Sequence, residues 1–223
     1  TIADIYEKGR NVGLITLPIA GLHNLSNAIA AIAACRMAGI PFETLQKNIS
    51  YLQTPARRFD YLGSWKGRQV VDDYAHHPSE VNATLKMARL TIESNRSKLP
   101  RPSKRLVTIF EPHRYSRINQ FLEDFANALS QSDLILLAPI YSAGEKPIQN
   151  ISSQSLANYI SKKYPNIPIF TAKTFDELPL LVEKYTKQGD LVITMGAGNI
   201  NRLWQKLNSP KIIKSWETSR LAA

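Results

Sequence analysis

The sequence predicts an α/β fold in which a mostly parallel sheet carries helices on both faces, preceded by a shorter helical unit. Three observations support this. Helix-period and strand-period stretches alternate from about residue 60 onward. The strand segments "RLVTIF" (105–110), "LILLAPI" (134–140) and "LVITM" (191–195) are nearly continuous apolar runs, as strands covered on both faces require. The texture changes at "LQTPARRF" (52–59), which marks a boundary near residue 55. Residues 1–55 are therefore read as the end of one domain and 56–223 as a second.

The elements follow in order. Leu22, Leu25, Ile29, Ile32, Ala33 and Met37 recur at helical spacing, predicting a helix over 23–38 that ends at Gly39. "IPFETLQKNISYL" reads as a second helix with Pro41 near its first turn. "FDYLGSWKGRQVVDDY" reads as two strands around a Lys66-Gly67 turn. Helices are then expected over 78–93, 116–130, 152–163, 174–187 and 199–207. Strands are expected over 105–110, 133–139, 167–171 and 190–195. Such alternation implies right-handed crossovers and a Rossmann-like sheet.

With 43% apolar and 21% charged residues, the 223-residue chain reads as globular. Its formal charge of +10, from 28 basic and 18 acidic residues, is spread along the chain. Only "NRSKLPRPSKR" (95–105) concentrates it. That run reads as a solvated loop without the interleaved aromatics of a single-strand binder, so no nucleic-acid partner is expected. No apolar run approaches the roughly 20 residues of a membrane span, and no membrane partner is expected. The one cysteine, Cys35, lies in a helical apolar stretch and is expected to be a small buried residue in a reducing, cytoplasmic setting. The chain opens on Thr1 in mid-pattern and is expected to be a fragment.

In a parallel sheet, the loops that leave the carboxyl ends of the strands share one rim, where ligands bind. Here those exits are "DDYAHHP", "EPHRYSR", "YSAGEKP" and "GAGN". Asp72, Asp73, His76 and His77 could suggest a metal site. Neighbours in extended chain point to opposite faces, however, so no metal is expected there. Ser79 is suited to cap the following helix. Arg114 and Arg117, three apart at a helix mouth, suit a carboxylate or phosphate; the plainer alternative is a surface pair bonded to Glu111 or Glu123. "TMGAGNIN" lacks the third glycine of a dinucleotide fingerprint, although a turn offering backbone N–H groups to an anion remains open.

Taken together, "GLHNLSNAIAAIA" (21–33), "RRF" (57–59), "VDDYAHHPSEV" (71–81), "PHRYSR" with "AGEKPI" (112–148) and "TMGAGNI" (194–200) resemble the Mur ligase family. The nearest branch is the one that joins L-alanine to UDP-N-acetylmuramic acid in peptidoglycan precursor synthesis. The resemblance implies the end of a central ATPase domain followed by a whole C-terminal domain, in a cytoplasmic enzyme that uses ATP and Mg²⁺. It places His23, Asn24 and Asn27 on the adenine side of ATP, Arg58 at the phosphates and Asp73 at the ribose hydroxyls. Tyr74, His76, Arg114 and Arg117 surround the incoming amino acid, with Arg58 and His76 as the catalytic groups. The phosphate loop G-x-x-x-x-G-K-[ST] occurs nowhere in the chain. That loop and the magnesium ligands are therefore expected outside it, and the chain alone is expected to be inactive. Two alternatives stay open: a recycling ligase that attaches a whole peptide, and a non-catalytic nucleotide-binding module.

Overall fold

The computed structural model describes residues 1–19, 21–52, 56–93 and 99–208. Residue 20, residues 53–55 at the boundary, residues 94–98 of the basic run and the tail after 208 lie outside the described residues. The chain forms two compact units, Thr1–Ala56 and Arg57–Ala223.

The first unit opens on an antiparallel hairpin that the sequence pattern does not predict, β1 (Ile2–Glu7) and β2 (Arg10–Thr16). Helices α1 (Leu22–Met37) and α2 (Phe42–Asn48) follow. Pro41 sits at the N-cap of α2, where its missing N–H costs nothing. Ile5, Ile15, Leu17, Ala28, Ile32 and Phe42 form a small core. The apolar stripe expected on α1 is only partly covered, since Leu22 and Met37 are 82% and 91% exposed. Cys35 is half-buried rather than fully buried, although its spacing of seven and three puts it on the same helical face as Ala28 and Ile32.

The second unit is built on a six-stranded sheet: β3 (Asp60–Trp65), β4 (Arg68–Asp73), β5 (Arg105–Phe110), β6 (Leu134–Leu137), β7 (Ile169–Thr171) and β8 (Asp190–Met195). The order is β3-β4-β8-β5-β6-β7, with only the β3–β4 pair antiparallel. The β3–β4 turn is Lys66-Gly67, at φ 47° and 79°. A Cβ on Gly67 would lie 2.7 Å from Gln188 Cγ, so the position demands glycine on two counts.

Helices α3 (Pro78–Glu93), α4 (Tyr115–Gln120), α5 (Leu122–Leu129), α6 (Ser153–Lys163), α7 (Leu178–Tyr185) and α8 (Arg202–Leu207) complete the unit. The helix expected over 116–130 is two, because Phe121 leaves the helical region at φ −119°, ψ 30° and sets its ring against His77. Strand residues alternate between two cores. Val71, Leu106, Phe110, Ile135, Leu137 and Ile193 pack with side chains of α3, α5 and α6. Val70, Val107, Ile109, Leu134, Leu136 and Val192 pack with those of α7 and α8. Each fully buried Leu or Ile contributes about 1.5–3 kcal/mol, which explains why the middles of β5, β6 and β8 are nearly all apolar, Thr108 and Thr194 being the buried exceptions. No described helix is long and apolar enough to cross a membrane.

Candidate active site

The chain passes from β4 through α3 to β5 and leaves a gap that β8 later fills. Strand order reverses there, so a crevice opens at the carboxyl ends. Register makes the rim level: Asp73 pairs with Met195, Met195 with Phe110, Phe110 with Leu137, and Leu137 with Thr171. The exits at Tyr74, Gly196, Glu111 and Ala138 therefore begin side by side.

At the β4 exit the two aspartates act as braces. Asp72, 1% exposed, takes Arg57 Nε at 2.8 Å and Thr194 Oγ1 at 2.6 Å. Asp73, 4% exposed, accepts the N–H groups of Phe59 and Ala75, each at 2.8 Å. Burial pushes its carboxyl above the usual range, partly offset by those bonds, by Thr84 and by the Arg58 charge. Glu80 accepts from the backbone N–H of His76 at 3.0 Å and of His77 at 3.1 Å. Burial raises its carboxyl, but these bonds and the charges of His76 and Arg58 outweigh it, leaving the group below its ordinary value. The N–H groups entering α3 are thus met by Glu80, while the hydroxyl of Ser79, the expected cap, bonds His77 Nδ1 at 2.9 Å.

From this exit a row of rings crosses to the next two. Tyr74 and His76 lie 5.3 Å apart, His76 and His113 5.4 Å, and His113 and Tyr141 stack at 5.5 Å. Arg57 lies over the Tyr74 ring at 5.0 Å. Arg117 Nη1 donates to His113 Nδ1 at 3.2 Å and reaches the His76 carbonyl at 3.4 Å. Burial, then the charges of Arg117, His76 and Arg114, push the His113 imidazole below its ordinary value, so it stays neutral and can accept that bond. His76 Nδ1 faces the Tyr74 carbonyl at 3.0 Å and Glu80 at 3.2 Å. Both neighbours accept, which places a proton on Nδ1.

Arg114 takes φ 71° at the mouth of α4, donates its backbone N–H to the Tyr141 carbonyl at 2.8 Å and sets its guanidinium 4.0 Å from Glu145. Arg114 and Arg117 thus have different partners. Neither bonds Glu111 or Glu123, the plainer alternative that the sequence allows; Glu123 takes Lys163 at 2.6 Å. Arg58 is exposed and forms no hydrogen bond or ion pair among the described residues. His77 turns to Phe121, away from His76.

The glycine turn differs from expectation. The N–H groups that were to cradle an anion already have one: Asn199 and Ile200 donate to the Glu111 carboxylate at 3.1 and 3.4 Å. Gly196 O accepts from Arg57 Nη2 at 2.6 Å. The turn is therefore a clamped element, not an open anion nest. With Glu111 and Tyr141 it walls an open cavity of about 480 Å³ that Lys173, Phe175 and Arg202 also line.

His23, Asn24 and Asn27 lie in the first turns of α1 in the first unit; Asn24 is half-buried and Asn27 exposed. Among the described residues, no group of three or more His, Cys, Asp or Glu could hold a metal ion. Sequence reasoning missed Arg57, Glu111, His113 and Tyr141 as site residues. All four stand inside or beside the motifs that flagged the rim, but their partners are distant in sequence.

Fold and rim together define a Rossmann-like α/β domain whose carboxyl edge presents arginines, histidines and tyrosine rings. The family described as Mur ligase, glutamate ligase domain, matches residues 57–198. The UDP-N-acetylmuramate–L-alanine ligase of Prochlorococcus marinus strain MIT 9303 is 62% identical over 207 residues, covering 93% of this chain and 42% of that protein. The enzyme of the same name from Synechococcus sp. strain CC9311 is 55% identical over 212 residues, 95% of this chain and 44% of that one. Among solved structures, a UDP-N-acetylmuramate–alanine ligase from Thermotoga maritima superposes with a TM-score of 0.69 at 21% identity, covering 98% of this chain and 43% of that one. It shares the fold. The chain belongs to the Mur ligase family, and it spans less than half the length of these curated relatives.

Proposed function

We propose that this chain is the C-terminal part of a cytoplasmic UDP-N-acetylmuramate–L-alanine ligase, with residues 1–55 closing its central ATP-binding domain. The observation that carries the reading is the rim itself, where Arg117 is bonded to His113 and reaches the His76 carbonyl, with the Tyr74 ring against His76. The names of the relatives support the same substrate. The exposed Leu22 and Met37 of α1 are what the end of a larger domain would present.

In this reading the UDP-N-acetylmuramate carboxylate attacks the γ-phosphorus of ATP, giving an acyl phosphate and ADP. The amine of L-alanine attacks the acyl carbon, and the tetrahedral intermediate expels phosphate. L-Alanine offers little side chain, so its carboxylate is the handle, held by Arg117 and Arg114 through charge-assisted bonds of about 1.5–3 kcal/mol each. His76, whose Nδ1 is held by the Tyr74 carbonyl and Glu80, turns its other ring nitrogen to take the proton the amine loses. Arg58, exposed and with no hydrogen bond or ion pair among the described residues, stabilises charge on the transferring phosphate. His23, Asn24 and Asn27 take the adenine side. Asp73 meets the ribose from a carboxylate that already braces Phe59 and Ala75. Magnesium supplies charge neutralisation on the phosphates when bound, held by ligands outside this chain.

The test is phosphate release by the full-length parent protein with ATP, Mg²⁺ and UDP-N-acetylmuramic acid. L-Alanine, glycine, L-serine or a tripeptide serves as acceptor, and wild type is compared with Arg117→Ala. Turnover with L-alanine that Arg117→Ala lowers about 100-fold, near 2.7 kcal/mol, is expected. Turnover with the tripeptide alone would make it the recycling ligase. No turnover with any acceptor would overturn the enzyme reading in favour of a non-catalytic nucleotide-binding module.

A further inference from the structure

We propose that Glu111 is a positioning residue for the amino-acid anchor: its buried carboxylate fixes the 196–200 turn, which fixes the Tyr141 ring against His113. This rests on the amino-acid role given to Arg117 above.

Glu111 is 3% exposed and sits one residue past β5, where its oxygens face the N–H groups of Asn199 and Ile200. On the other side of the turn, Arg57 holds the Gly196 carbonyl at 2.6 Å. A cation and an anion thus grip one glycine-rich segment from opposite ends. That segment presses on Tyr141: a Cβ on Gly198 would fall 2.5 Å from Tyr141 Cγ and 2.5 Å from Glu111 Oε1. The Tyr141 backbone is already fixed by its exchange with Pro112 and Arg114, each at 2.8 Å. The turn therefore decides where the ring lies. The ring stacks on His113, whose Nδ1 takes Arg117. Loosening the turn frees the ring, and the guanidinium loses its fixed partner. Each carboxylate oxygen takes a different N–H, so glutamine, with one acceptor oxygen, keeps part of the clamp and an apolar residue keeps none.

The experiment uses the full-length protein and the KM of whichever amino acceptor the wild type turns over, so it stands even if that acceptor is not L-alanine. Glu111→Leu and Tyr141→Ala are compared with Glu111→Gln. Expected is a rise of about tenfold in acceptor KM for the first two, with the KM for ATP within about twofold, since only acceptor binding is lost. Glu111→Gln, which keeps one of the two acceptors, should fall between Glu111→Leu and wild type. Acceptor KM unchanged in both, or acceptor and ATP affinities falling together, would overturn the proposal. Should Glu111→Leu fail to fold, the half-exposed Tyr141→Ala decides by itself.

Discussion

Arg57 is tied to Asp72 across fifteen residues of chain, Nε to Oδ2 at 2.8 Å, with the aspartate side chain 2% exposed and the arginine 21%. The same guanidinium also reaches Gly196 O. One side chain therefore joins the entry to β3, the end of β4 and the turn after β8. Replacing Arg57 with alanine leaves a buried carboxylate with only Thr194 to bond it. The expected cost is about 3 kcal/mol, read as a lowered urea midpoint. A midpoint like wild type would show that Thr194 and water suffice.

A second pair anchors the opposite end of the sheet. Asp190 receives Arg105 through two bonds, at 3.0 and 2.7 Å, and also accepts the Lys187 N–H at 2.8 Å. Asp190→Ala unpairs a half-buried arginine and an N–H together. We expect a loss of about 3 kcal/mol, with Arg105→Lys much milder. Equal losses in the two variants would mean that the bidentate geometry contributes nothing beyond charge.

His113 makes the rim sensitive to acid. Its folded value lies below the ordinary one, because burial and the Arg117 charge oppose protonation. The unfolded chain takes the proton near pH 6.5 and the folded chain only at lower pH. The His113 contribution to stability is therefore complete above about pH 6.5 and declines as pH falls through the folded value. The His113 ring C–H resonance should titrate with a midpoint below that of a free histidine. The acid-side decline in melting temperature should also be shallower in His113→Gln. A midpoint at or above the ordinary value would contradict the burial argument.

Glu80 works in the other direction of charge. Its folded carboxyl is depressed by the His76 and His77 N–H bonds despite burial. Its contribution is present above the ordinary carboxylate range and lost as pH falls through the depressed value. Glu80→Ala removes the acceptor for both N–H groups at the start of α3. It should cost about 1–2 kcal/mol, the scale of a lost helix cap. Glu80→Gln should recover part of it. Thermal melts of the three proteins decide the matter.

Much of the fold was legible in the sequence. Strands covered on both faces read as nearly continuous apolar runs, so β5, β6 and β8 stood out, and helical spacing marked α1, α3 and α6. The β1–β2 hairpin was not legible, because Ile2, Ile5 and Tyr6 break a period of two and Lys8-Gly9 is its one turn signal. The motifs "DDYAHHP" and "HRYSR" lie at the carboxyl ends of β4 and β5, as the alternation of strands and helices implied, but Asp72 and Asp73 are buried there as braces for the backbone and Arg57.

Other features depend on contacts between residues far apart in the chain, which no local pattern encodes. The insertion of β8 between β4 and β5 is one, because neighbouring apolar strands are interchangeable by sequence. The choice between adjacent arginines is another: Arg57, at φ 62°, turns in to Asp72, while Arg58 stays exposed. The fate of the glycine turn is the clearest. Its N–H groups read as an anion site, and only the meeting of the β5 and β8 exits shows that Glu111, 88 residues before Asn199, is the anion they hold.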